Sequence, residues 1–470
     1  MPLVAGVDSS TSSCKVEVRD AESGELVARG RAPHPPTTPP RSEQHPRDWW
    51  TAFEAACAEA GVLGTNRPAA IAVAGQQHGL VVLDAGGRVL RPAKLWNDTE
   101  SSTDAEELVA ALGAATWADA CGSVPLAAFT ITKLAWLRRC EPDVFRRAAR
   151  VLLPHDWLTG QLTGGATTDR GDASGTGWWS PREERYRYDL LALVDDTVAW
   201  EDKLPEVLAP TEAAGEWEEM AVGPGTGDNM AAALGLGLRP GDVAISLGTS
   251  GTAFGVSDRP TADATGAVAG FADATGRFLP LVCTLNATKV TNAVARLLGV
   301  DATGFDALAL AAPAGAAGLI LVPYLDGERT PNRPDASGTL TGIRSEVTRE
   351  QLARAAVEGV VGNLLAGADE LVRGEPRAAH GRVLLVGGGA RSAAYRQVVA
   401  DLTGRPVTVP DDEEIVARGA ALQAAAVLTG RSFDDLTAAW GSGPGRVVDP
   451  DPSVDGAAIR AAYTDALAGR

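Results

Sequence analysis

Lysine is almost missing from this sequence: only five of its 42 basic residues are lysines. With abundant alanine and glycine, that bias reads as a GC-rich genome and carries no functional meaning. Cysteine is also scarce. Cys14, Cys57, Cys121, Cys140 and Cys283 form an odd set with no C-x-x-C pair. A disulfide framework and a structural zinc site are therefore not expected, and a reducing cytoplasm fits. The five histidines are scattered, without an H-E-x-x-H. Long apolar runs are missing too: none reaches the ~18 residues of a membrane span. The opening MPLVAGVDSS has no basic start, so no signal peptide is expected. Positive charge is in deficit. A net charge of −18 argues against nucleic-acid binding, which needs basic surface to neutralise phosphates. It still allows an anionic nucleotide in a local positive pocket. There is no G-x-x-x-x-G-K-[ST], which excludes a P-loop, and no strand–GxGxxG–helix unit, which disfavours a Rossmann site.

What is present is a long chain, 470 residues and 45% hydrophobic, enough for two or more domains. LVAGVD reads as a buried strand ending in Asp8, and CKVEVRDAESGELVARGRA continues as a hairpin. The proline-rich APHPPTTPPRSEQHP reads as a surface loop. RDWWTAFEAACAEAG has helical spacing, and AAIAVAGQQHGLVVLD reads as strand, polar turn, strand. After Arg239–Asp242 the pattern restarts with VAISLGTSGTAFGVSD, again strand, turn, strand. A helix around 350–371, the strand RVLLVGGGA, a helix from Ser392, the strand RPVTVP and the helix EEIVARGAALQAAAVL follow. Alternation of strands and helices gives an α/β class. Asp8–Val18 also echoes Ser246–Val256: Thr11-Ser12 aligns with Thr249-Ser250, and Val18 with Val256. A duplicated domain is the simplest source.

Four stretches carry candidate chemistry. GPGTGDNMAAALGLG places one carboxylate, Asp228, between a glycine-rich turn and a helix of small residues. Asp228 reads either as a helix cap or as an acid facing a closely approaching substrate. The hydroxyl-rich turns at Thr11-Ser12 and Gly248-Thr249-Ser250 are nests able to hold phosphate oxygens. In LLVGGGARS the glycines let a planar ligand approach the backbone at a helix start. Together they point to a nucleotide held by two related domains.

The ordered blocks GVDSSTSSCKV, EQHPRDWW, AVAGQQHGLVVLD, LWNDTES, LPHDWLTGQLTG, TTDRGDASGTGWW, GDNMAAALG, ISLGTSGTAFGVS, PYLDGERTPNRPDASGTLTGI and LLVGGGARSAAYRQVVADLTGRPVTVP span almost the whole chain. They resemble the FGGY carbohydrate kinases. The resemblance implies two ribonuclease-H-like α/β domains of the actin-like ATPase group, with an active-site cleft between them. Residues 1–239 would carry the sugar and the catalytic base, and residues 240–470 would carry ATP. The final helices are candidates to pack back. The implied reaction is ATP- and Mg²⁺-dependent phosphorylation of a ketopentose, D-xylulose to D-xylulose 5-phosphate, by a cytoplasmic enzyme. Its partners are a small sugar and ATP, with no nucleic acid and no membrane; a homodimer is allowed.

The resemblance also implies roles. Asp228 is the base that takes the proton of the sugar hydroxyl, a task for which a nearly unperturbed carboxylate suffices. Asp8 lies near Mg²⁺ and the phosphates, so Asp8 and Asp228 are the metal candidates. Ser10 departs from the family pattern, which has glycine there; its side chain bears on phosphate approach and the metal shell. Thr11, Ser12, Gly248, Thr249 and Ser250 meet phosphates. Gly388, Gly389 and Ala390 lie along the adenosine, bordered by Glu413 or Glu414. On the sugar side stand Gln77 and His78, where glycerol-phosphorylating members carry Arg-Glu; the pair resembles the Met-His of xylulose-phosphorylating members, with Gln for Met. His78 can donate to and accept from hydroxyls. Trp96 walls the pocket, Asn97 and Asp98 are weaker candidates, and Asn229 binds a hydroxyl. Rival readings are another substrate (L-ribulose, gluconate, L-fuculose or a sugar alcohol), a non-catalytic nucleotide-gated sensor, and a structural filament protein with no support beyond shared fold.

Overall fold

Strand β1 (Leu3–Ser9) is the axis of the first unit, buried at every residue after Leu3. It pairs antiparallel with β2 (Ser13–Asp20), Ser9 opposite Cys14, and β2 pairs antiparallel with β3 (Leu26–Pro33) through a slip at Val18/Arg19. On its other side β1 runs parallel to β4 (Ala70–Gly75), which runs parallel to β5 (Met220–Val222). A short strand β6 (Thr226–Gly227) extends this edge beside the end of β4. The computed structural model describes residues 2–441, 443 and 445–468. Unit 1 comprises Met1–Gly237, Asp258–Leu279 and Asp412–Ser442, and unit 2 comprises Leu238–Ser257, Pro280–Asp411 and Gly443–Arg470. No helix among the described residues is long and apolar enough to cross a membrane.

One face of the first sheet is covered by α1 (Pro46–Ala60). Its start is set by Pro46 and the His45 side chain, which accepts from Arg47 N–H; its end is set by left-handed Gly61. Trp49 and Phe53 of α1 join Val7, Val16, Val18, Ile71, Val73 and Trp157 in the main core. The other face takes α4 (Asp228–Gly235) and the late helix Ile415–Thr429. Both approach to backbone contact. A Cβ on Gly6 would lie 1.9 Å from the Ala417 carbonyl oxygen, one on Gly235 2.1 Å from that of Ile415, and one on Gly419 1.8 Å from that of Ala231. The alanine and glycine content of these segments is what lets them close on the strands.

Unit 2 repeats the plan. Strand β7 (Val243–Leu247) pairs antiparallel with β8 (Gly251–Gly255), and β8 with β9 (Phe278–Thr284). Strand β7 runs parallel to β10 (Val383–Val386), and β10 to β11 (Val407–Val409). The orders β3-β2-β1-β4-β5 and β9-β8-β7-β10-β11 match in sequence and sense, as the echo of the two hydroxyl-rich turns suggests. Helix α5 (Thr288–Leu298) follows β9. Helix α6 (Arg349–Gly374) begins at a Thr348/Gln351 capping box, and α7 (Ala393–Thr403) begins at Ser392, whose hydroxyl accepts from Tyr395 N–H. The strand after the GQQHG turn, Val81–Leu83, pairs antiparallel with Arg150–Leu152. His78, in the turn between the two strands, has a left-handed φ of 64°.

Below the ends of β4 and β6 lies a buried charged cluster. His155, on α2 (Pro154–Thr163), bonds through Nδ1 to Asp172 Oδ2 at 2.7 Å, on α3 (Arg170–Ala173). Its Nε2 lies 3.3 Å from Asp156 and 3.9 Å from Asp169. Burial alone lowers the imidazole; Asp156, Asp172 and Asp169 outweigh it and raise His155 to about 9. Burial pushes the Asp172 carboxyl up to about 7, against the pull of His155.

Two outcomes follow for stability, both readable by tryptophan fluorescence because all eleven tryptophans lie in unit 1. Gly419→Ala forces a methyl into backbone and is expected to cost about 1–3 kcal/mol. Gly64→Ala, also in unit 1, where the nearest atom to a Cβ is the Gly61 carbonyl oxygen at 3.8 Å, stays within about 0.5 kcal/mol in the same urea titration. His155 binds its proton more tightly folded than unfolded, so its charge supports the fold fully below its ordinary 6.5 and that support is lost as pH rises through about 9. Asp172, also raised, has the same sign. The thermal midpoint of unit 1 is thus expected to fall between pH 6.5 and 9, and His155→Gln to flatten that slope. A midpoint rising over this window would contradict the sign.

Candidate active site

Register brings the first-unit candidates together. Ser9, Gly75 and Gly227 stand in one row across β1, β4 and β6. Asp8 precedes the first, Gln76-Gln77-His78 follows the second, and Asp228 follows the third. All lie at the carboxyl ends of parallel strands, where α/β sheets hold ligands. Positions 8, 77 and 228, remote in sequence, meet through this pairing.

Asp228 is the first residue of α4, and the cap position belongs to Gly227. The carboxylate therefore sits in the positive first turn without capping its own helix. It is half-buried and accepts from Asn229 Nδ2 at 3.1 Å. Burial, then Asp8 and Asp172, push its carboxyl up to about 8. The sequence suggests an almost ordinary carboxylate; the structure supplies two like charges that composition does not reveal.

Gln77 and His78 are buried. Gln77 Oε1 accepts from Asn229 Nδ2 at 2.8 Å, tying the turn to the residue after Asp228. Gln77 Nε2 is buried and has no acceptor among the described residues. Leaving such a donor unmet costs about 1–3 kcal/mol. His78 packs its ring on Phe129, centroids 5.0 Å apart, and its Nδ1 lies 2.7 Å from the Gly175 carbonyl. A carbonyl only accepts, so Nδ1 carries the proton.

The turn after β1 is more constrained than its sequence suggests. Ser10 donates to Asp8 Oδ1, so the residue that replaces the family glycine holds the acid directly. Lys15 reaches Asp8 at 3.2 Å and Glu414 at 2.6 Å. Burial lowers Lys15, but Asp8 and Glu414 more than offset it and raise its pKa. Glu414 is thereby engaged in an ion pair in unit 1. Trp96 donates to Thr11 Oγ1 at 2.9 Å, and Thr11 donates to Gln76 Oε1 at 3.1 Å. Gln76 in turn donates to Gln44 Oε1, and Gln44 to the Thr11 carbonyl. The single hydroxyl proton of Thr11 is thus committed within the protein, and Trp96 braces the turn. Ser12 is exposed. Asp98 accepts from Lys94 at 3.0 Å and from Ser42 N–H, an internal role. Asn97 is half-buried. Gln44, Gln76 and Lys15 were missed as site residues; a glutamine in EQHPRDWW gives no period or charge signal that would single it out.

Glu43, Asp98 and Glu100 lie close enough to share an ion. Lys94 pairs with all three and Arg91 with Glu43, so protein cations already balance them. Asp8 and Asp228 could hold a cation, with Lys15 already paired to Asp8. The negative field of Asp8 is one cause of the raised Asp228 pKa, and a cation would relieve it.

In unit 2 the candidates gather in the same relative place. Ser246 of β7 stands opposite Val386 of β10. The turn Gly248–Ser250 closes by Gly248 N–H to the Ser250 carbonyl at 2.9 Å. It rests on the start of α5, where Thr288 donates to the Gly248 carbonyl at 2.7 Å. Thr249 is exposed. After β10, Gly389 presses on Leu247, its Cβ position 2.6 Å from that side chain, while a Cβ on Gly388 would meet nothing within 4 Å. Gly388 therefore presents bare, exposed backbone; Ala390 is buried beneath it.

The N-terminal domain description of the FGGY family of carbohydrate kinases matches residues 3–235, and the C-terminal one matches residues 243–428. The chain is 48% identical to a xylulose kinase of Streptomyces coelicolor, covering 95% of this chain and 92% of that one. It is 47% identical to a xylulose kinase of Streptomyces rubiginosus over the same shares. The crystal structure of xylulose kinase from Bifidobacterium adolescentis superposes with a TM-score of 0.86 at 42% identity, over 99% of both chains. With both domains matched in order, and with relatives of this identity along nearly its full length, the chain belongs to the FGGY family of carbohydrate kinases.

Proposed function

We propose that this chain transfers the γ-phosphoryl group of ATP to D-xylulose, giving D-xylulose 5-phosphate and ADP. The name of its relatives at 42–48% identity supports the sugar. The observation that carries the site is the buried, unmatched amide of Gln77 beside the Asp228–Asn229 pair. A sugar oxygen is the acceptor it lacks. Residues 1–239 supply the sugar contacts and the base, and residues 240–470 the nucleotide contacts. The free thiols of all five cysteines support a cytoplasmic setting.

The terminal hydroxyl of the sugar attacks the γ-phosphorus, the bond to the β-phosphate oxygen breaks, and Asp228 takes the hydroxyl proton. Once ionised, a carboxyl with raised proton affinity is the stronger acceptor. Gln77 Nε2, Asn229 and the Nδ1-protonated ring of His78 orient the sugar, and Trp96 holds the turn beside it. Ser12, Thr249, Ser250 and the backbone of Thr11 and Gly248 meet phosphate oxygens; Gly388, Gly389 and Ala390 line the adenosine. Asp8 and Asp228 would hold Mg²⁺, which neutralises phosphate charge when bound.

Asp228→Asn is expected to lower D-xylulose-dependent ADP release at least about 10³-fold while ATP binding persists. Turnover near that of the parent would remove Asp228 as the base. Gln77→Leu is expected to raise KM for D-xylulose about tenfold with KM for ATP unchanged, the loss of one hydrogen bond. Equal KM values for D-xylulose would remove Gln77 from the sugar site.

A further inference from the structure

We propose that the segment 169–175 is a strut that sets His78 and Asp228 at their working positions, with Asp169 and Thr226 as positioning residues for phosphoryl transfer. The proposal rests on Asp228 being the base. The segment is built around α3, too short to be stable alone. It touches both sides of the site. At its start, Asp169 caps α3 by accepting from Gly171 N–H and Asp172 N–H, both at 2.8 Å. The same carboxylate accepts from Thr226 Oγ1 at 2.7 Å, two residues before Asp228. At its end, the Gly175 carbonyl accepts from His78 Nδ1 at 2.7 Å.

The strut has no room to slide. A Cβ on Gly171 would lie 2.9 Å from Thr226 Oγ1 and 2.9 Å from Met230, and one on Gly175 2.7 Å from the His78 ring. Ser174 Oγ donates to the Gly171 carbonyl and accepts from Ala272 N–H at 2.9 Å. His155 locks the segment from below through Asp172. The same ring fills the space beside Gly225, where a Cβ would lie 2.6 Å from its Cδ2. Gln423 holds Gly225 from the late helix, donating to its carbonyl at 3.0 Å. Residues 225–227 are therefore gripped on three sides, and the hydroxyl of Thr226 is their side-chain link to the segment that also orients His78.

The test removes that hydroxyl. Thr226→Val keeps the volume, and Thr226→Ala removes the same group without an added methyl and is read in the same way. Either is expected to lower kcat with D-xylulose at least about tenfold, as small misplacements of reacting groups do. KM for ATP should be unchanged, and the thermal midpoint by tryptophan fluorescence should fall only modestly, as the loss of one buried hydrogen bond requires, with the protein still folded at the assay temperature. Thr226→Ser, which restores the donor, is expected to recover most of kcat. Parent-like kcat in both Thr226→Val and Thr226→Ala, with Asp228→Asn inactive, would overturn the strut while leaving the base in place. A loss that Thr226→Ser does not recover would overturn it as well. Activity in Asp228→Asn would instead strike the reading on which the strut rests.

Discussion

Backbone-to-backbone packing of small residues is the constraint on which the first unit depends. Gly6, Gly235 and Gly419 let the late helix Ile415–Thr429 reach β1 and α4 at distances no side chain permits. Helix α4 can therefore lie directly on the sheet, and its first residue, Asp228, emerges at the end of the parallel strands. A larger residue at Gly6 would push the late helix off β1, and one at Gly235 or Gly419 would part α4 from the late helix and displace the carboxylate. The run of alanines after Asp228 is thus a packing surface as much as a helix former. It links composition, which looks like mere genomic bias, to the placement of the acid.

Charge sets the character of that acid. Asp8 and Asp228 share one end of the sheet, and Asp172 adds a third negative group to the field at Asp228. The protein balances only part of it. Lys15 serves Asp8 and Glu414, and His155 serves Asp172. A carboxyl left with excess negative surroundings holds a proton more readily and also favours a cation. Both properties suit phosphoryl transfer, in which charge must be neutralised and one proton accepted.

Much of this was legible in the sequence. Buried runs ending in acids or glycines mark β1, β4 and β7, and the Thr-Ser echo marks the repeat of two sheets with one strand order. The placement of Asp228 at a helix start after a glycine turn was also readable, although Gly227 rather than Asp228 occupies the cap. What the sequence hides is whatever depends on contacts across distant segments. Nothing in LPHDWL marks His155 as the partner of Asp172, and nothing in GPGTGD shows that Thr226 bonds to Asp169. Thr11 reads as a phosphate ligand, and only the structure commits its proton to Gln76. The strand, turn and strand around His78 are readable, but not that the second strand pairs with Arg150–Leu152. Residues 258–279 and 412–442 likewise belong with the first unit, which linear reading does not reveal.

The most direct measurement is steady-state ADP release with Mg²⁺-ATP across D-xylulose, L-xylulose, D-ribulose, L-ribulose, gluconate, glycerol and xylitol, with a sugar-free control. A kcat/KM for D-xylulose well above every other acceptor is the expected result. A higher value for gluconate, glycerol or a ribulose would contradict the assignment of D-xylulose and the role given to Gln77 and His78.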